Sequence, residues 1–168
     1  MLPPILARVP GARLAIVGSN PLPSILALRG PAIDLHANVT DAALAGFYAD
    51  SRAAVVPLLA GAGVKRKTVE ALWHGLPLVV TPVGAQGLPG LEAIVPVETD
   101  PAAFAAAVCR LLEEDGPWHR QAQAQMAYAR ERFSDEALRE SLARALNLPR
   151  AADAAPLGPA CAAAAAMA

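Results

Sequence analysis

Aromatic residues make up only 4% of this 168-residue chain, and cysteine occurs twice. A core must then be assembled from alanine, valine and leucine, and no disulfide framework can staple a small fold. Cys109 lies in an apolar helical stretch and reads as a small buried hydrophobe, while Cys161 lies near the C-terminus. Charge of one sign is also lacking: 14 basic against 15 acidic residues leave a formal net charge of -1. That excludes a strong global field for nucleic acid or an acidic membrane. His36, His74 and His119 are scattered. No metal-ligand spacing is present, and no metal is expected. No run of about 18 strongly apolar residues suggests a membrane span. Met1-Leu-Pro-Pro4 has no charged start followed by an apolar stretch, so no signal peptide is read. The expectation is a cytoplasmic protein without a membrane span.

What is present is a hydrophobic fraction of 55% in a length that suits one domain and a tail. Short apolar runs at Arg13–Gly18, Ile33–His36, Ala53–Leu58, Leu78–Thr81 and Ile94–Val97 read as strands. Helical segments lie between them. Thr40 caps a helix that runs to about Ala49, and Asp100-Pro101 opens another that runs to Glu114. Residues 117–132 and a segment from Ser134 to about Leu146 complete the helices. Strand and helix alternate up to Val97, and then helices take over. The expected fold is α/β, with a mostly parallel sheet flanked by helices and C-terminal helices. Residues 1–148 form the domain; residues 149–168, rich in Ala and Pro, are read as a disordered tail.

The richest segment is Gly61-Ala-Gly-Val-Lys-Arg-Lys-Thr-Val-Glu70, followed by Gly75-Leu-Pro-Leu-Val-Val-Thr81. It reads as a glycine-hinged loop, a helix over about 64–74, a break and a strand. Glycine lets backbone N–H groups approach an anion, and the start of a helix favours negative charge at the same spot. Lys65, Arg66 and Lys67 stand at that start, and Glu70, one turn on, is an acceptor for hydroxyls. Phosphate donors beside a hydroxyl acceptor suit a nucleotide-sugar. The loop follows a strand, so it lies at the carboxyl end of the sheet, where open α/β folds bind ligands. The loops starting at Gly18-Ser19-Asn20, Ala37-Asn38-Val39 and Pro82 share that end. The plainer alternative makes Lys67 and Glu70 a solvated ion pair at i, i+3. His74 is read as a cation near a helix C-terminus, and Trp73 as part of the core.

Placed in this order, the motifs resemble the C-terminal, donor-binding half of GT-B glycosyltransferases of the GT4, or group 1, type. The likeness covers about residues 5–145. It rests on Ala12–Gly18, Val39-Thr-Asp41, Tyr48, Val55-Val-Pro57, Gly61–Lys65, Glu70-Ala71, Gly75–Thr81, Gly84-Ala-Gln-Gly-Leu88, and Asp100–Phe104 with Leu111-Leu112. The resemblance implies a Rossmann-like domain that binds a nucleotide-sugar as substrate, with no metal or other cofactor. The family reaction moves a sugar to an acceptor hydroxyl with retention.

Glu70 matches the second Glu of the family's Glu-x7-Glu motif, which accepts hydrogen bonds from the donor ribose. Ala62 stands where the first Glu would be. The resemblance puts Gly61, Gly63, Val64, Lys65 and Lys67 near the diphosphate and sugar. Asn38 and Val39 fall where the base is held, and Gly18 and Ser19 line the same crevice.

The family's first strand and its basic opening loop have no counterpart here. The chain is therefore expected to be incomplete at its N-terminus: a fragment, one piece of a split enzyme, or a degenerate binding or assembly module. A separate N-terminal acceptor-binding domain is the expected partner. Peripheral attachment to the inner membrane, through an acceptor or partner, is a variant of the cytoplasmic expectation. Little activity is expected of this chain alone. A nucleotide-sugar epimerase of the same architecture fits less well, because it needs catalytic carboxylates from two domains.

Overall fold

The computed structural model describes residues 1–147. The stretch 149–168, expected to be a tail, lies outside the described residues. The chain divides into two compact units, Met1–Ala129 and a second that begins at Arg130. The first holds every strand. Its elements run α1 (Leu2–Arg8), β1 (Leu14–Gly18), α2 (Pro23–Leu26), β2 (Ile33–Ala37), α3 (Asp41–Asp50), β3 (Ala54–Val56), α4 (Arg66–Trp73), β4 (Leu78–Val80), α5 (Pro82–Ala85) and α6 (Pro101–Glu113). α7 (Asp115–Phe133) continues into the second unit, which also contains α8 (Asp135–Ala145).

The fold is α/β with short parallel strands, as the alternation predicts. Capping explains several helix starts. Thr40 accepts from the Ala43 N–H at 3.2 Å, Asp100 from Ala103 at 2.8 Å, and Ser134 from Ala137 at 3.2 Å. Each satisfies an N–H that the first helical turn leaves without a partner.

The strands form two parallel ladders rather than one sheet. β1 pairs with β2 from Leu14↔Ile33 to Gly18↔Ala37, and β3 pairs with β4 from Ala54↔Leu78 to Val56↔Val80. Among the described residues no backbone hydrogen bond joins β1 to β3. The strand expected over Ile94–Val97 contracts to a single bridge, Val80↔Val97. Pro96 has no N–H to donate, so the edge holds only through Val80 N–H to Pro96 O and Glu98 N–H to Val80 O.

The core lies around the second ladder. Val79, Phe104, Ala105, Val108, Cys109 and Leu111 pack with Ile5, so α1 and α6 cover β4. Cys109 is buried, as its apolar setting predicts. Trp73 is not in the core, contrary to expectation; half of its surface is exposed. The buried face of α4 is Thr68, Ala71 and Leu72. Trp73 follows Leu72 by one residue, about 100° around the helix, and so points away from that face. The N-terminal end of β4 is held by Gln125 of α7. Its Oε1 accepts from Leu78 N–H at 3.1 Å, and its Nε2 donates to Leu76 O at 2.8 Å. Both polar atoms of this buried amide thus find a backbone partner that the ladder itself does not satisfy.

Candidate donor-binding site

Every loop singled out by sequence sits at the carboxyl end of a parallel strand. Gly18 ends β1, and Ser19-Asn20 follow; Asn38 follows β2; Gly61–Lys65 follows β3; Thr81–Gly87 follows β4. Alternating strands and helices impose this arrangement, because each parallel strand must end on the same side.

The loops gather into two groups. In the first, Asn38 N–H donates to Gly18 O at 2.9 Å, and Asn20 N–H donates to Asn38 Oδ1 at 3.1 Å. Asn20 and Asn38 both take positive φ, at 48° and 56°. Asparagine tolerates this region because its short side chain bonds locally. Gly18, Ser19, Asn38 and Val39 are thereby brought into one tied corner.

The second group joins the β3 loop, α4 and the β4 loop. Thr81 caps α5 and also donates to Leu58 O, so the chain leaving β4 is tied to the chain leaving β3. The buried Thr68 hydroxyl of α4 donates to Gly84 O at 2.9 Å. Gly87, at φ 79°, lies so close to Val64 that an added Cβ would meet Val64 Cγ2 at 2.7 Å. Gly63, at φ 68°, turns the chain into α4. Both positions need a residue without a Cβ penalty in the left-handed region. Lys65 Nζ donates to Gly63 O and, at 3.3 Å, to Gln86 Oε1, so the ammonium folds over its own loop. The N–H groups of Arg66 and Lys67, at the start of α4, have no acceptor among the described residues. They and the helix start form a place where an anion is favoured.

Glu70 is the acceptor beside it. Arg66 Nε donates to Oε1 at 2.6 Å, and the Tyr48 hydroxyl donates to Oε2 at 3.0 Å. The helix partner of Glu70 is therefore Arg66 at i, i+4; the Lys67 pairing at i, i+3 is not formed. Both Arg66 and Lys67 are exposed, and it is the guanidinium at i, i+4 that reaches the carboxylate. The bond to Glu70 raises the Arg66 guanidinium above its ordinary pKa. Burial first, and the Glu70 charge second, raise the Tyr48 phenol, so it stays a donor at any ordinary pH. The Tyr48 ring stacks on His74 at 4.7 Å between centroids and 4° between planes. Near the helix C-terminus, His74 thus serves as a platform for Tyr48.

No hydrogen bond or ion pair joins the first group to the second among the described residues. α3 runs between them, opening just after Val39 and carrying Tyr48 to Glu70. Sequence alone assigns no role to Tyr48 or Gln86. The signal available was their place within the ordered motif set, Tyr48 on α3 and Gln86 in Gly84–Leu88.

The family model described as glycosyl transferases group 1 matches residues 1–114. The chain belongs to the group 1 glycosyltransferases. No curated protein matches it. Among solved structures, a mutant O-GlcNAc transferase from Thermobaculum terrenum is similar, with a TM-score of 0.62 and 20% identity over 84% of this chain. The similarity at that identity is one of fold, and it agrees with the GT-B type of architecture. The chain spans about a third, 31%, of that protein's length. Family membership gives the second group its context: the glycine loop, α4 and Glu70 all fall inside the matched residues. Among the described residues no helix is long and apolar enough to cross a membrane, and no cluster of three His, Cys, Asp or Glu residues could hold a metal ion.

Proposed function

We propose that this chain is the nucleotide-sugar donor half of a retaining glycosyltransferase that passes a sugar to an acceptor hydroxyl. Glu70 accepts hydrogen bonds from the ribose hydroxyls. The backbone of Gly61, Gly63 and Val64, the free N–H groups at the start of α4, and the Lys65 and Lys67 ammonium groups face the diphosphate and sugar. Gly18, Ser19, Asn38 and Val39 form the corner for the base. In transfer, the cations and helix start stabilise the leaving nucleoside diphosphate, an electrostatic role that needs no metal. A separate acceptor-binding domain faces this surface, in the cytoplasm or peripheral to the inner membrane.

The observation that carries the reading is the pairing of a glycine loop and helix start with the Glu70 carboxylate on the same helix, one turn apart. For Lys65, phosphate binding requires the ammonium to leave Gly63 O and Gln86, an exchange of partners on an exposed loop. A binding-only role as a derived module is the second reading. It is favoured by Ala62, exposed on the loop where the family has its other carboxylate.

The test is titration of the 168-residue protein with UDP, GDP and ADP and their sugars, with Glu70→Ala and Lys65→Ala beside the parent. Binding near about 1 mM, roughly −4 kcal/mol, is expected, with little turnover. Equal binding by both variants and the parent contradicts the site. Robust transfer by the parent alone contradicts the need for a second domain.

A further inference from the structure

We infer that Tyr48 is a positioning residue for the donor: it fixes the Glu70 carboxylate so that one free lone pair on each oxygen faces a vicinal diol. The inference rests on the donor-binding reading of Glu70.

An ionised carboxylate offers about four acceptor positions, two on each oxygen. In Glu70 each oxygen already takes one hydrogen bond, Oε1 from Arg66 and Oε2 from Tyr48. One position on each remains. That is the pattern required to receive two adjacent hydroxyls side by side, and a carboxylate free to rotate would not hold it. The two holders are unequal. The Arg66 side chain is 82% exposed, so water competes for its bond and its grip is weak. The Tyr48 bond is partly buried. Its ring stacks face to face on His74, which restrains the hydroxyl. The groups facing the hydroxyl are Glu70 and, through it, Arg66 from α4, with the His74 ring beneath. Tyr48 comes from α3 and Glu70 from α4, so the bond also fixes the one helix against the other at the site.

A merely structural tyrosine would affect every nucleotide alike. A positioning tyrosine affects only ligands that carry the diol. The experiment measures the affinity of the 168-residue protein for UDP, GDP and ADP against their 2′-deoxy counterparts, for the parent, Tyr48→Phe and Glu70→Gln. Tyr48→Phe removes one oxygen and keeps the ring on His74. Its expected effect is a loss of about five-fold for the ribonucleotide that binds, with the 2′-deoxy form changed less than about two-fold, in line with the net worth of one ordinary hydrogen bond that acts on the ligand through Glu70. Glu70→Gln is expected to abolish the ribose preference. Loss of the preference in Glu70→Gln but its full retention in Tyr48→Phe overturns the inference and leaves the donor reading standing. A parent without any ribose preference overturns both. If Tyr48→Phe melts below the assay temperature, the parent supplies a second readout. The Tyr48 hydroxyl proton, held by Glu70, is expected to shift on addition of the ribonucleotide and not of its 2′-deoxy form. An equal response to both overturns the inference.

Discussion

The two ladders share a parallel geometry and differ in what covers them. In β3–β4, Val56, Leu78, Val79 and Val80 are buried, and α1, α6 and Gln125 close over them. In β1–β2 only Leu35 is buried, at 8% exposure, although Leu14, Ile16 and Val17 are just as apolar. The same residue types thus yield different stabilisation, because burial sets the energy and hydrogen-bonded pairing alone adds little. The difference matters for the site. Glu70 and the glycine loop are built on the well-covered ladder, and the corner assigned to the base is built on the lightly covered one.

The largest expected contrast comes from core truncation. Leu78→Ala, at a fully buried position, should cost about 3 kcal/mol, and Ile16→Ala in β1 about 1 kcal/mol. Urea unfolding of both variants measures this, and equal losses would break the comparison. Gln125→Ala should cost about 2 kcal/mol in the same measurement, since it leaves Leu78 N–H and Leu76 O without their partner. Gly84→Ala should cost about 1–2 kcal/mol, because the new Cβ would sit 2.9 Å from Val56 O, a backbone atom that cannot swing aside.

The smallest effect belongs to β1–β2. Arg13 Nε and NH2 donate to the two oxygens of Asp34 at 2.9 and 2.7 Å, and this bond to Arg13 lowers the Asp34 pKa. A carboxyl lowered in the fold stabilises above its unfolded pKa of about 3.9, and that contribution fades as pH falls through the folded value. Arg13→Ala should therefore narrow the difference in melting temperature between pH 6 and pH 2 only slightly, the pair being exposed. A large change would show that the first ladder depends on its surface more than on its burial.

Much of this was legible in the sequence. Caps at Thr40, Asp100 and Ser134 follow from side-chain chemistry within one turn, and apolar runs placed four of the strands. Pairing between distant segments was less legible. Nothing local to Arg13–Gly18 or Ala53–Leu58 says that the two ladders exchange no hydrogen bond. The strand expected over Ile94–Val97 failed because a proline inside a short run leaves too few donors. Trp73 was less legible: it is the last residue of α4, and the helix buries the stripe of Thr68, Ala71 and Leu72 rather than the neighbouring apolar positions. In the site, the positions of Gly61, Gly63, Lys65 and Glu70 on a loop and helix start were readable from spacing. Tyr48 was not, since its bond to Glu70 spans 22 residues and two helices.

The central claim, that a nucleoside diphosphate binds on the covered ladder's loop and helix, is tested most directly by following backbone amide resonances of the 168-residue protein during titration with UDP, GDP and ADP. The largest shifts are predicted at Gly61, Gly63, Lys65, Arg66 and Lys67, with Glu70 and Tyr48 following for the ribonucleotide. Shifts confined to other parts of the chain, with residues 61–70 unmoved at saturation, would contradict it.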